Sequence, residues 1–278
     1  MTETQTMPSP LTGLTLDEME WQDIELPPTN LPDGDGDKME SPWHVGSISL
    51  VVSSYVAAHE GRREDYFIGA NMFLYYSMEQ VRNRDFKGPD IFVVKDVDGT
   101  RKRNYWAIWE ERGRYPDVII ELLSPSTEAY DLGKKKDLYE RTFRTAEYFC
   151  VAPDVSRILG WRLENRLHYA PIPTNERGRV WSQELGFWLG GWHGMFWGLE
   201  HTWLRLYTQD EELVLTPDEA EKQRAEAEKQ RAEAEKQRAE AEKQRAEAAE
   251  QQLSSAQHRI AQLEAELAQV RGDPPTTT

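Results

Sequence analysis

A single cysteine, Cys150, is all that this chain of 278 residues contains. No intrachain disulfide can form, and every zinc pattern built on several cysteines is excluded. A reducing compartment is the simpler setting for such a composition. No stretch approaches the roughly 20 consecutive apolar residues of a membrane helix. The first residues carry no basic start followed by an apolar run, so no secretory leader is expected. The sequence therefore predicts a soluble, cytoplasmic protein with no membrane partner. Also missing are a phosphate-binding P-loop, a G-x-S-x-G elbow and a dinucleotide fingerprint, which removes the support for kinase or serine-hydrolase chemistry.

Positive charge is scarce too, with a net charge of −16. Phosphate binding normally leans on Lys and Arg, so the position of the deficit matters. Residues 1–40 hold ten acids against one base, residues 41–216 hold 25 against 22, and residues 217–278 hold 14 against 10. The acidity sits in the tails, and the centre is nearly balanced. A nucleic-acid substrate is compatible with that distribution; strong non-specific affinity for DNA is not expected.

Three segments follow from the composition. Residues 1–40 are rich in Pro, Thr, Asp and Glu without apolar periodicity, and read as an acidic, flexible lead-in. Their D-G-D-G-D run lacks the spacing and closing Glu of a calcium loop and reads as a solvated turn. Residues 41–216 form the folded domain. There Ile48, Val51, Val52, Tyr55 and Val56 mark one face of a helix. Strand-like runs follow at Tyr66–Gly69, Met72–Tyr76, Ile91–Lys95 and Asp117–Leu122, then a helix from about Glu128 to Phe143, then strands at Glu147–Ala152, Ile158–Leu163 and Leu167–Ala170. This order predicts an α/β domain with a central mixed sheet flanked by helices. The Trp- and Gly-dense stretch Trp181–Leu206 reads as cover for a core, because each Trp buries a large area.

Residues 217–271 are the third segment, a charged heptad-repeat helix, with 272–278 as a disordered tail. The unit E-K-Q-R-A-E-A occurs four times from Glu221. Strong helix formers and charge pairs three and four apart make a helix there. Leu253, Ile260 and Leu267 recur every seven residues, with Leu263 and Val270 three after the last two, which is an a/d seam. Carried backwards, the frame puts Ala at a but Glu228, Glu235 and Glu242 at d. Self-association, or a partner helix, is thus expected only through residues 253–271.

The chemistry-bearing residues lie in the centre. Asp90 opens the apolar run I-F-V-V, and Glu121 interrupts the apolar run V-I-I-E-L-L. Desolvating a carboxylate is costly, so a buried Glu needs a partner, and a divalent metal is one candidate. On the helix that follows, Asp131, Lys135 and Tyr139 are four apart and share a face. Two carboxylates can hold a magnesium ion while leaving positions for water and phosphate. A nearby lysine can position a nucleophile or stabilise developing negative charge. Taken singly, each residue has an ordinary reading: Asp90 as a turn cap, Asp131 and Lys135 as an exposed helix pair, and Glu121 bound to an amide or an Arg. Lys134–Lys136 and Arg101–Arg103 likewise read as a solvated helix face and a loop.

G-P-D-I-F-V-V, P-D-V-I-I-E-L-L-S-P-S-T, D-L-G-K-K-K-D-L-Y and A-E-Y-F, in that order, closely resemble the Uma family of restriction endonucleases, within the PD-(D/E)XK nuclease superfamily. M-E-S-P-W-H at Met39–His44 resembles it as well, and the likeness spans roughly residues 33–216. The resemblance implies a restriction-endonuclease-like fold, catalytic roles for Asp90, Glu121 and Lys135, and Mg2+ or Mn2+ held by Asp90 and Glu121 with help from Glu40. The superfamily pattern would put a lysine two residues after the second acid, where this chain has Leu123. Lys135 stands where the family carries a helical lysine, which implies a migrated residue reaching the same pocket. His44 reads as a capping or packing residue beside Glu40. The implied function is metal-dependent hydrolysis of phosphodiesters, with DNA as the substrate. The alternative is an inactive nuclease fold serving as a binding or assembly module.

Overall fold

In the computed structural model of the chain, residues 41–83 and 88–271 are described, and they divide into two compact units between Thr216 and Pro217. The acidic lead-in, its D-G-D-G-D run, Glu40 and the 272–278 tail lie outside the described residues.

The first unit begins with α1 (Pro42–Ala58). Ser41 caps it, its side chain accepting from the His44 amide, and Pro42 takes the first turn, where a missing N–H costs nothing. Ile48, Val51 and Tyr55 of the expected stripe are buried, and Leu50, Ser47 and Ser54 are buried beside them. The helix is thus covered over more than one stripe. Gly46 explains one side: a Cβ there would lie 2.3 Å from Cζ3 of Trp203, so only glycine admits the indole.

Six strands form the main sheet in the order β1-β3-β5-β6-β7-β8. They are β1 (Tyr66–Ala70), β3 (Ile91–Lys95), β5 (Val118–Leu122), β6 (Glu147–Val151), β7 (Ile158–Glu164) and β8 (His168–Ile172). Only β5 and β6 pair in parallel; the other neighbours are antiparallel, so the sheet is mixed. A parallel pair needs a crossover, and the segment 128–143 supplies it as α3. That helix alternates between α-helical turns (Glu128–Tyr130, Lys136–Leu138) and π-helical turns (Asp131–Lys135, Tyr139–Phe143). Arg144, at φ 54°, ends it in the left-handed region.

Two cores lie on opposite faces of the sheet. Alternation along β5 sends Val118, Ile120 and Leu122 into one, while Ile119 and Leu123 enter the other. The first core packs under α1 and a three-stranded sheet of β9 (Val180–Ser182), β10 (Phe187–Phe196) and β11 (Leu199–Tyr207). The Trp/Gly-dense stretch is therefore strand, and Leu189, Trp203, Leu204 and Leu206 do cover a core. Its hairpin tip does not: Met195, Trp197 and Leu199 are exposed.

The second core holds Phe67, Phe92, Trp106, Tyr139, Tyr148 and Cys150. It lies beneath α3 and a small parallel pair, β2 (Leu74–Tyr75) with β4 (Trp106–Ala107), where a short helix, α2 (Met78–Asn83), follows β2. Strands of two residues carry no periodicity, and β4 is not visible in the sequence pattern.

The second unit is one helix, α4 (Pro217–Arg271), of 55 residues. At 1.5 Å per residue it is roughly 80 Å long. Asp218 and Glu219 in its first turn complement the positive end of the helix dipole. Among the described residues, no helix is long and apolar enough to cross a membrane.

Candidate active site

Asp90 and Glu121 meet because β3 and β5 pair antiparallel with Ile91 opposite Ile120. One step along that ladder sets Asp90 opposite Glu121. Each carboxylate grips the other strand: Oδ2 of Asp90 accepts from the Leu122 amide at 2.6 Å, and Oε2 of Glu121 faces the Asp90 amide at 3.4 Å. Glu121 projects to the same side of β5 as Ile119 and Leu123, towards α3.

From α3 come three further groups. The Lys135 ammonium lies 3.0 Å from Oε1 of Glu121 and 2.9 Å from Oδ1 of Asp131. The Tyr139 hydroxyl donates to Oε1 of Glu121 at 3.0 Å. The spacing of four therefore does put Asp131, Lys135 and Tyr139 on one face, and that face meets Glu121. The three lysines of the triplet part company here. Lys134 is exposed, Lys136 lies over the Trp161 ring at 4.8 Å, and only Lys135 turns inward. The π-helical turns begin at Asp131 and at Tyr139, the residues that carry these contacts, and insertions of this type recur at functional sites.

Burial sets the electrostatics. Glu121 is 1% exposed and Asp131 2%. Burial pushes the Glu121 carboxyl up to about 8; Lys135 opposes the shift, and the nearby Asp90 and Asp131 add to it. For Lys135, burial works against the charge, yet Glu121 and Asp131 outweigh it and hold the ammonium above the ordinary lysine range. Burial, then the adjacent Glu121, pushes the Tyr139 hydroxyl well above its usual value, so it stays protonated and able to donate to Glu121.

The partners of Glu121 separate this acid from others in the fold. Glu147 is also fully buried, but Arg162, Ser182 and the amides of Gln183 and Glu184 surround it, and it is a structural clip. Around Glu121, the Lys135 ammonium also meets Asp131, and Asp90 stands on the neighbouring strand with its Oδ2 on the Leu122 amide. Oδ1 of Asp131 is buried and makes no well-aligned hydrogen bond beyond its ion pair with Lys135. Carboxylate oxygens gathered at one strand end are the donor chemistry that a hard divalent cation takes. Among the described residues, no three His, Cys, Asp or Glu side chains are grouped as a ready-made metal cage. Mg2+ does not require one, since it keeps several waters and binds through one or two carboxylates. The residues present fit such an ion.

His44 joins the site from α1. Its Nε2 lies 2.9 Å from the Leu122 carbonyl and its Nδ1 lies 2.8 Å from Oγ of Ser41, so it ties the start of α1 to the end of β5. Leu123 is 1% exposed within the second core, on the same side of the chain as Glu121. A cavity of about 20 Å³ touches Lys135 and Tyr139, with Tyr76, Gln80, Pro89 and Phe143 among its walls. It has room for roughly one water. A larger cavity, about 370 Å³, lies at Arg101–Tyr105 and shares no wall with these acids. There Arg101 and Arg103 are already paired with Glu111.

Sequence reasoning named Asp131 and Tyr139 only as face-mates of Lys135, although both enter the constellation. Their signal was the spacing of four. The contact from His44 to Leu122 had no sequence signal beyond the S-P-W-H start of the helix.

Against known proteins, the family model of Uma2, described as "Putative restriction endonuclease", matches residues 22–193. A crystal structure described as that of "a putative nuclease" from Anabaena variabilis ATCC 29413 aligns over 62% of this chain and 91% of its own, at 19% identity and a TM-score of 0.40. A search of the curated proteins finds no match. The family match begins before α1 and ends within β10, so it takes in both strands of the acid pair and all of α3.

Proposed function

The chain belongs to the Uma2 family, described as "Putative restriction endonuclease", and from that membership we propose that it is a Mg2+- or Mn2+-dependent endonuclease hydrolysing phosphodiester bonds of DNA. The observation that carries the proposal is the buried Lys135 ammonium set between Glu121 and Asp131, with Asp90 bound to the same strand end. An ordinary exposed helix pair would not be buried, and here both partners of the i,i+4 pair are, with Glu121 against the same ammonium.

Asp90 and Glu121 would hold the metal. When bound, it would offset charge on the phosphate and lower the pKa of a coordinated water. Lys135 has three N–H donors, two of which face carboxylates, leaving one for a water or a phosphate oxygen. Because its neighbours hold it protonated, Lys135 orients the nucleophile or stabilises negative charge; it does not serve as the general base. Tyr139 fixes the direction of the Glu121 carboxylate, and His44 braces the end of β5. Lys135 does from α3 what a lysine at position 123 would do from the strand, since Leu123 is needed in the core.

The test is cleavage of supercoiled plasmid and branched DNA with Mg2+ or Mn2+, comparing the wild type with Asp90→Ala and Lys135→Ala. Metal-dependent nicking that disappears in both variants supports the reading. A folded wild type that cuts nothing with either metal sinks it, and leaves the nuclease fold as a binding module.

A further inference from the structure

The second unit exposes what a folded chain normally hides. Leu253, Ile260, Leu263 and Leu267 are between 44% and 62% exposed on α4, all on one seven-residue seam. The seam is longer than these four. Taken in the same frame, positions a and d from residue 246 onward are Ala246, Ala249, Leu253, Ala256, Ile260, Leu263, Leu267 and Val270. That is an unbroken apolar line of about 36 Å at 1.5 Å per residue.

The flanking charges say what covers it. In a parallel two-stranded coiled coil, each g residue faces the e residue five positions later on its partner. Through the E-K-Q-R-A-E-A repeat those pairs are Arg224 with Lys229, Arg231 with Lys236 and Arg238 with Lys243, all repulsive, while Glu228, Glu235 and Glu242 occupy the d layers. The sign reverses where the seam turns apolar. Arg245 then meets Glu250, Gln252 meets Gln257, and Arg259 meets Glu264. An antiparallel pair that overlaps the same seam would instead set Arg259 against its own copy and Glu250 against Glu264. Identical chains thus match in one orientation only.

We propose that residues 245–271 bind a second copy of this chain as a parallel coiled coil, and that the preceding repeat keeps the two helices apart. Parallel pairing sets the N-terminal ends of both α4 helices at the same end of the coiled coil. This does not depend on the nuclease reading.

Sedimentation equilibrium of the full chain tests it. The wild type should be a dimer, and Ile260→Asp should be a monomer. Arg259→Glu alone and Glu264→Arg alone should each raise the dissociation constant roughly tenfold, since two facing pairs per dimer change from attraction to repulsion. Combining them should restore the wild-type value. Far-UV circular dichroism checks that the helix persists in each variant. A wild type that is monomeric at every concentration overturns the proposal, as does an Ile260→Asp dimer, which would place association elsewhere. So does tighter association by Glu264→Arg alone, the signature of antiparallel pairing, or a double variant as weak as the single ones.

Discussion

Replacing Lys135 with Met keeps the length of the side chain and removes its charge. The ammonium sits between two carboxylates whose side chains are each 2% exposed, and is itself 12% exposed. Removing one partner from a buried ion pair typically costs about 3–5 kcal/mol, because the remaining charge stays desolvated. In a domain of this size each kcal/mol moves the melting temperature by roughly 2–4 °C, so a fall of roughly 6–20 °C is expected. The loss should depend on pH. Glu121 has its carboxyl raised to about 8, so it is mostly protonated at pH 6 and mostly ionised at pH 9. Raising the pH from 6 to 9 therefore adds the Glu121 charge to the deficit, and the gap between variant and wild type should widen. Titration of Lys135 itself adds no pH dependence over that window. Its folded pKa lies above the unfolded value of roughly 10.4, and its contribution begins to fall only above that value. Melting followed by near-UV circular dichroism at pH 6 and pH 9 reads both effects. An unchanged melting temperature, or a gap that narrows as the pH rises, would refute the electrostatic reasoning.

Three further outcomes follow from the same geometry. Tyr139→Phe removes the donor to Oε1 of Glu121 and should cost about 1–3 kcal/mol, read by urea denaturation; no loss would mean that water replaces the hydroxyl. Cys150 is buried, and burial pushes its thiol well up, so a thiol-specific reagent should label it only in denaturant. Fast labelling of the native protein would contradict the packing of β6. Gly46→Val would drive a branched side chain into the Trp203 ring and should destabilise by about 1–3 kcal/mol or more, with loss of near-UV signal from the indole; a stable variant with native spectra would show that α1 and β11 are not packed so closely.

Much of the α/β framework was legible, and the reason is physical. β3, β5 and β6 are dense in β-branched and aromatic residues because both of their faces are covered by core. An acid inside such a run, as at Glu121, is conspicuous for that reason. α3 was legible in extent, residues 128–143, but not in form. Its π-helical turns depend on which carboxylate Lys135 and Tyr139 must reach, and that partner lies on another element. β10 escaped notice because glycines at 190, 191 and 194 replace side chains that would show an alternating pattern. The pairing of Asp90 with Glu121 could be anticipated only through likeness to other chains, since it rests on the register of two strands separated by a long excursion.

Titration of Mn2+ into the wild type and into Glu121→Gln, with free ion followed by electron paramagnetic resonance, tests the central claim most directly. Acidic residues elsewhere bind Mn2+ equally in both proteins, so the difference isolates the site. One additional tight ion per chain in the wild type, missing from Glu121→Gln, is the expected result. Identical binding curves from two folded proteins would show that the acids around Lys135 hold no metal.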